Sequence, residues 1–132
     1  MTDSATPTFK QVILFTDVDG RAKFREEEIA LTEGNPNSRL SAQLAASGVV
    51  LRESPAGFRS QMHCTGKPQW VFILSGAMEI GLADGSTRRF NAGEHFYSAD
   101  TLPEGETFNP EHHGHWSREV AGEPLVTLFV KG

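Results

Sequence analysis

The stretch from Gly57 to Gly76, GFRSQMHCTGKPQWVFILSG, constrains the fold more than any other part of the chain. Residues Gly57 to Thr65 alternate, so a strand there sets Arg59, Gln61, His63 and Thr65 on one face and Phe58, Ser60, Met62 and Cys64 on the other. Gly66-Lys67-Pro68 is a turn by composition. From Gln69 to Leu74 the chain is apolar on both faces, Val71 and Ile73 opposing Trp70, Phe72 and Leu74, which predicts a strand covered on both sides.

The same punctuation continues on either side. Asp84-Gly85 is a two-residue hairpin signal between Ala77–Ala83 and Ser86–Phe90. Asn91-Ala92-Gly93-Glu94 turns into a strand at His95–Ser98, and Ala121-Gly122-Glu123-Pro124 joins Trp116–Val120 to Leu125–Val130. Toward the N-terminus, Phe9–Phe15 is a first strand ending at the Asp19-Gly20 turn. Ala22–Leu31 fits a short exposed strand or a short helix, and Glu33–Ser38 is a loop. Arg39–Glu53 is taken as strand throughout, with a helical turn at Ser41–Ala46 as the alternative. Residues 1–8 are expected to be flexible and residues 9–132 to form one domain, since 132 residues suit a single core. Thirteen glycines and seven prolines lying between short β-prone runs make that domain all-β. Its core is expected to contain Trp70, Val71, Phe72, Ile73, Leu74, Met78, Ile80, Phe90, Phe96, Leu128 and Val130.

A net charge of −5, from 12 basic and 17 acidic residues without a basic run, argues against nucleic-acid binding. The lone cysteine, Cys64, excludes an internal disulfide framework and suits a reducing cytoplasm. No apolar run approaches the ~20 residues of a membrane span, so a soluble cytoplasmic protein is expected.

The spacing of Gly57, His63 and Gly76 resembles the first signature of the cupin superfamily: Gly, five residues, His, one residue, His, three or four residues, Glu, six residues, Gly. Thr65 stands at the second His position and Gln69 at the Glu position. The resemblance implies a double-stranded β-helix of jelly-roll type, here with an N-terminal extension. It also implies a divalent metal held by inward side chains at the barrel mouth. For the second signature, counting forward from Gly93 puts the His on Glu104, and counting back from Glu123-Pro124 puts it on His115. The backward count is adopted, because Asp100–His113 can hold the difference as an insertion.

On this basis His63, Gln69, His115 and His113 are the candidate ligands for one divalent transition metal, iron, zinc, manganese or nickel. Imidazole is the common protein ligand for such ions. A pocket without metal is the alternative. Alternation sets His113 on the His115 side and His112 opposite. Arg59, Gln61, Thr65, Tyr97 and Phe108 are candidate pocket residues, a cavity arginine being suited to a carboxylate ligand. Two functions follow: a metal-dependent enzyme of dioxygenase, isomerase or decarboxylase type acting on a small organic molecule, or a ligand-binding or interaction module without catalysis. The apolar Phe9–Phe15 strand predicts a homodimer in which N-terminal strands pack on or exchange with a partner. The Asp100–His113 loop is expected to be a lid carrying Phe108, or else a dimer contact.

Overall fold

A computed structural model describes residues 6–132; residues 1–5, most of the 1–8 segment expected to be flexible, lie outside the described residues. The chain is all-β, with eleven strands among the described residues: β1 (Thr8–Thr16), β2 (Ala22–Ala30), β3 (Glu33–Asn35), β4 (Ser38–Leu40), β5 (Gly48–Ser54), β6 (Gln69–Ser75), β7 (Ala77–Leu82), β8 (Thr87–Asn91), β9 (His95–Ala99), β10 (His115–Glu119) and β11 (Leu125–Lys131). No helix among them is long and apolar enough to cross a membrane.

One sheet has the order β2-β1-β9-β6-β11-β5 and faces a second of order β10-β7-β8. The segment 57–65 adds a broken fourth row to the second sheet, bridging β10 at Arg59↔Arg118 and His63↔His115. Without the β1–β2 hairpin, this is the four-over-four strand arrangement of a jelly roll. The hairpin is the N-terminal extension, antiparallel within itself and parallel to β9 through Ile13↔Tyr97 and Phe15↔Ala99. The apolar β1 is thus paired along both edges inside its own chain.

The core lies between the sheets: Leu14, Val71, Ile73, Met78, Ile80, Leu82, Phe90, Phe96 and Leu125, with Ala22 at one end. Burying this set is the main favourable term for a domain of this size. β6 departs from expectation. Val71 and Ile73 point inward, whereas Trp70 and Phe72 lie on the outer face and Leu74 is 52% exposed, so that face is only partly covered. Leu128 and Val130 share this outer position. The reason lies just upstream. Only Ser38–Leu40 and Gly48–Ser54 of the Arg39–Glu53 passage are strand, and residues 41–47 cross as coil. Ser41, Leu44 and Ala46 shield one end of the outer face, with neither a long strand nor a helix to cover the rest. Ala22–Ala30 resolves as strand.

The 57–65 segment is also less regular than its alternation suggests. Its backbone bonds β10 at Ser60 N–H to Ser117 O and reciprocally between His63 and His115, but between them the carbonyl of Gln61 accepts from the Ser60 hydroxyl and the His63 ring. Such local side-chain bonds compete with a continuous ladder. Gly76, which closes the stretch, has φ +80°, and a Cβ there would stand 2.9 Å from the Pro124 carbonyl oxygen. Only glycine fits that turn.

Glu119 fastens the start of this segment. Its buried carboxylate accepts amides from Gly57, Ala121 and Gly122. Burial pushes its pKa up, but the donated amides outweigh it and leave the carboxyl below the usual glutamate value. A depressed folded pKa gives stability that is present above the unfolded value and lost as pH falls through the folded one. Glu119→Gln should therefore melt lower than the parent at neutral pH and lose less on acidification, in melting curves from about pH 7 to about pH 3. Parallel acid limbs would show that the amides do not hold the charge.

Candidate functional site

Three elements bring the central residues together. Segment 57–65 supplies His63, β10 begins with His115, and Asp100 directly follows β9. The reciprocal backbone bonds between residues 63 and 115, each 2.9 Å, place the two imidazoles side by side with ring centroids 4.7 Å apart. Asp100 is 0% and His115 4% exposed, and His115 Nδ1–H donates to Asp100 Oδ2 at 2.8 Å. The other carboxylate oxygen accepts from the Thr16 hydroxyl at 2.7 Å, and the Asp100 carbonyl accepts from Thr65 N–H. With its Nδ1 committed to a carboxylate, His115 carries its lone pair on Nε2, which has no hydrogen-bond partner among the described residues.

His63 has the same tautomer, since its Nδ1–H donates to the Gln61 carbonyl at 2.8 Å. Its ring sits at the mouth with an open outer edge. Burial of the inner side pushes its pKa down, the Gln61 carbonyl opposes, and His115 and Arg52 lower it further. His63 is therefore neutral at pH 7. Ser60 Oγ lies 3.4 Å from that same protonated nitrogen, so His63 is not placed to deprotonate it as a nucleophile.

Both imidazoles open on a cavity of about 220 Å³ inside the barrel, walled by Val71, Met78, Ile80, Phe96 and Phe129, with Arg52, Cys64, Thr65, Gln69, Ser98 and Ser117 as its polar lining. The Thr65 and Ser98 hydroxyls bond each other at 2.7 Å. Burial, aided by the charge of Asp100, raises the Cys64 pKa, which keeps it a thiol rather than a nucleophilic thiolate.

Of the residues singled out from sequence, His63, His115, Thr65 and Gln69 line this cavity and five do not. Arg59 lies over the Trp116 ring at 5.7 Å, and Gln61 is exposed. Tyr97 projects from the outer face of β9 onto Trp70, because inward positions on that strand are Phe96 and Ser98. His113 is buried with both nitrogens engaged: Nε2 pairs with Glu106 at 2.8 Å and Nδ1 accepts from Asn109 N–H at 3.0 Å. Strand alternation does not reach it, since Gly114, at φ +85°, turns the chain just before β10. Phe108 packs beside His113, its loop braced by Asn109 and tied to the β1–β2 turn through the His112 Nε2–H bond to Asp19 O. No residue from 101 to 114 lines the cavity. The sequence reading missed Asp100, Arg52 and Ser98.

For a resident catalytic metal the donor set is short. Two imidazole nitrogens face the cavity, yet among the described residues no three His, Cys, Asp or Glu side chains are grouped to hold an ion, and the remaining candidates are the neutral oxygens of Gln69 and Thr65. Catalytic metal sites usually have three protein ligands and an open position. The residues present do not make that set.

No family model matches the chain, and no curated protein matches it significantly in sequence. Among solved structures it is similar to the DMSP lyase DddQ from Ruegeria pomeroyi, at 20% identity and TM-score 0.43 over 64% of this chain and 37% of that one. It is similar to the polyketide cyclase RemF from Streptomyces resistomycificus, at 23% identity and TM-score 0.43 over 63% and 53%. The Schizosaccharomyces pombe Cnp3 cupin domain is matched at 14% identity and TM-score 0.45 over 97% and 87%. The chain thus spans between about a third and a half of the length of the first two.

Proposed function

We propose that the barrel binds a small organic acid and that His115, oriented by Asp100, moves a proton on it. The observation that carries this reading is the buried His115–Asp100 pair, whose only open nitrogen faces the barrel cavity. A neutral imidazole with its Nδ1–H fixed on a carboxylate takes a proton at Nε2, and the carboxylate then stabilises the imidazolium. Arg52, reaching in from β5 with its guanidinium 4.8 Å from the Phe58 ring centroid, is the cation for a ligand carboxylate. Neutral His63 accepts a hydrogen bond at Nε2, and Val71, Met78, Ile80, Phe96 and Phe129 give the carbon skeleton of the ligand an apolar wall. The reaction class is removal of a proton from a carbon beside a carbonyl and its return to the same or a neighbouring position, as in an isomerisation.

The test is deuterium uptake at that carbon from heavy water, followed by NMR on a panel of small 2-oxo and 3-oxo acids with chelator present. The parent should accelerate uptake for a member of the panel, and His115→Gln should slow it by about 100-fold or more. Uptake that survives His115→Gln overturns the assignment. Binding without uptake for every member makes the chain a ligand-binding module.

A second reading draws on the fact that both histidines hold Nδ1–H on an oxygen and open Nε2 to the cavity, as metal-ligating histidines do. In that case His63 and His115 would hold a divalent transition metal only together with the neutral oxygens of Gln69 and Thr65 or of the bound ligand. Dialysis against zinc or cobalt, with elemental analysis of tag-free protein, separates the two: near-stoichiometric retention that disappears in His63→Ala favours the metal.

A further inference from the structure

A second cavity, of about 300 Å³, lies on the outer face of the six-stranded sheet, on the opposite side of β6 from the barrel interior. Its floor is Phe9, Trp70, Phe72, His95 and Val130, and its wall is the 41–46 coil with Leu44 and Ala46. The His95 ring is held between Phe9 and Phe72, at centroid distances of 5.2 and 5.1 Å and interplanar angles of 20° and 16°. Such a triple stack offers flat aromatic surface.

The polar feature that selects a ligand is Gln11. It is 7% exposed although it sits on the outer row of β1, and its Oε1 accepts from the Trp70 indole N–H at 3.1 Å. That bond fixes the amide orientation, so the Nε2 hydrogens are the free end of the group, without a hydrogen-bond partner among the described residues, at a residue that lines this cavity and the neighbouring hollow beside Arg25, Glu27 and Tyr97. An accessible amide donor that exchanges water for an acceptor held in the cavity gains a net hydrogen bond of about 0.5–1.5 kcal/mol.

No carboxylate, lysine or arginine lines the cavity. Burial pushes the pKa of His95, its one titratable residue, down, so the lining is uncharged at pH 7.

We infer that this cavity is a second ligand site, distinct from the barrel interior, which takes an uncharged flat aromatic molecule carrying one hydrogen-bond acceptor for the Gln11 amide. The volume is at the small end of ligand pockets, about 300–1,000 Å³, which suits one or two fused rings and not a lipid chain or a peptide.

The experiment uses the full chain and three probes: 1-acetylnaphthalene, with ring and carbonyl; naphthalene, with the ring alone; and 1-naphthoate, with ring and charge. Amide and indole NMR spectra should show 1-acetylnaphthalene moving the Trp70 indole N–H and the Gln11 side-chain amide, with naphthalene binding about tenfold more weakly for want of the acceptor. 1-Naphthoate should be weaker still. Ala46→Phe, on the exposed coil, alters no residue of the sheet, fills the cavity and should abolish these shifts while the protein melts no lower than the parent. Gln11→Leu should bring the two neutral probes to equal affinity. His115→Gln should bind as the parent does, which separates this site from the barrel proposal. The inference is overturned by the absence of shifts at Trp70, by equal binding of naphthalene and 1-acetylnaphthalene in the parent, or by a homodimer in light scattering that Ala46→Phe dissociates, since the cavity would then be subunit interface.

Discussion

Asp100→Asn should leave the protein folded and its proton-transfer step slowed by about 100-fold to 10,000-fold, whereas Asp100→Ala should cost about 2–4 kcal/mol of stability. The two substitutions separate two roles of one side chain. Asp100 is fully buried, takes His115 Nδ1–H on one oxygen and the Thr16 hydroxyl on the other. Alanine leaves a buried imidazole N–H without its acceptor beside an empty space; for a chain of this length the loss amounts to a fall in Tm of about 7–14 °C. Asparagine keeps the shape. Its oxygen can still accept from His115, and its amide can donate to the Thr16 hydroxyl, whose proton has the Thr101 carbonyl at 2.8 Å as an alternative acceptor. What asparagine removes is the negative charge beside the imidazolium that forms when Nε2 takes a proton. Thermal melts and the deuterium-uptake rate, measured on both variants, are the readouts. An Asp100→Asn protein that exchanges at the parent rate would leave the carboxylate as packing only, and His115 would then act without it.

How much of this was legible in the sequence depends on how far apart the partners are. The glycine frame of Gly57 and Gly76, the Asp84-Gly85 hairpin and the alternation along β6 and β7 are local signals, and they give the jelly roll. Asp100 was hidden because it opens a stretch rich in acids and prolines and reads as the first of several solvated carboxylates. What buries it is Thr16, 84 positions earlier on a strand of the N-terminal extension, and no local pattern encodes that contact. Arg52 was missed for a related reason. It is exposed on an edge strand in the linear pattern, and enters the cavity only because the register Arg52↔Thr127 sets it on the inner face. Tyr97 is a different case. Placing Phe96 in the core already fixes the parity of β9, so Ser98 rather than Tyr97 had to face the barrel. The outer-face residues Trp70 and Phe72 looked like core because hydrophobicity reports burial without saying against what. The segment that shields them, 41–46, is small and polar enough to read as either strand or helical turn.

A large structural effect next to the histidine pair is expected at Gly114. Its φ of +85° lies in the left-handed region, and an added Cβ would stand 2.6 Å from the His63 carbonyl oxygen and 3.1 Å from the Phe108 ring. That carbonyl is the acceptor for the His115 amide, half of the reciprocal pair that holds the two imidazoles together. The obstacle is backbone, so no rotamer change can relieve it. Left-handed backbone costs an ordinary residue about 1–2 kcal/mol, and forcing apart a close-packed contact adds about 1–3 kcal/mol. Gly114→Ala should therefore lose about 3 kcal/mol or more and also lose the nuclear Overhauser contacts between the His63 and His115 rings. Gly105→Ala is the matched control from the same loop. Its φ is +81°, and nothing stands within 4 Å of the added carbon, so it carries the backbone strain without the collision. Urea unfolding of the two variants gives the difference directly. Equal losses would mean that the His63 strand can step aside for a methyl group, and the close approach that orients the two histidines would not be a rigid feature of this barrel.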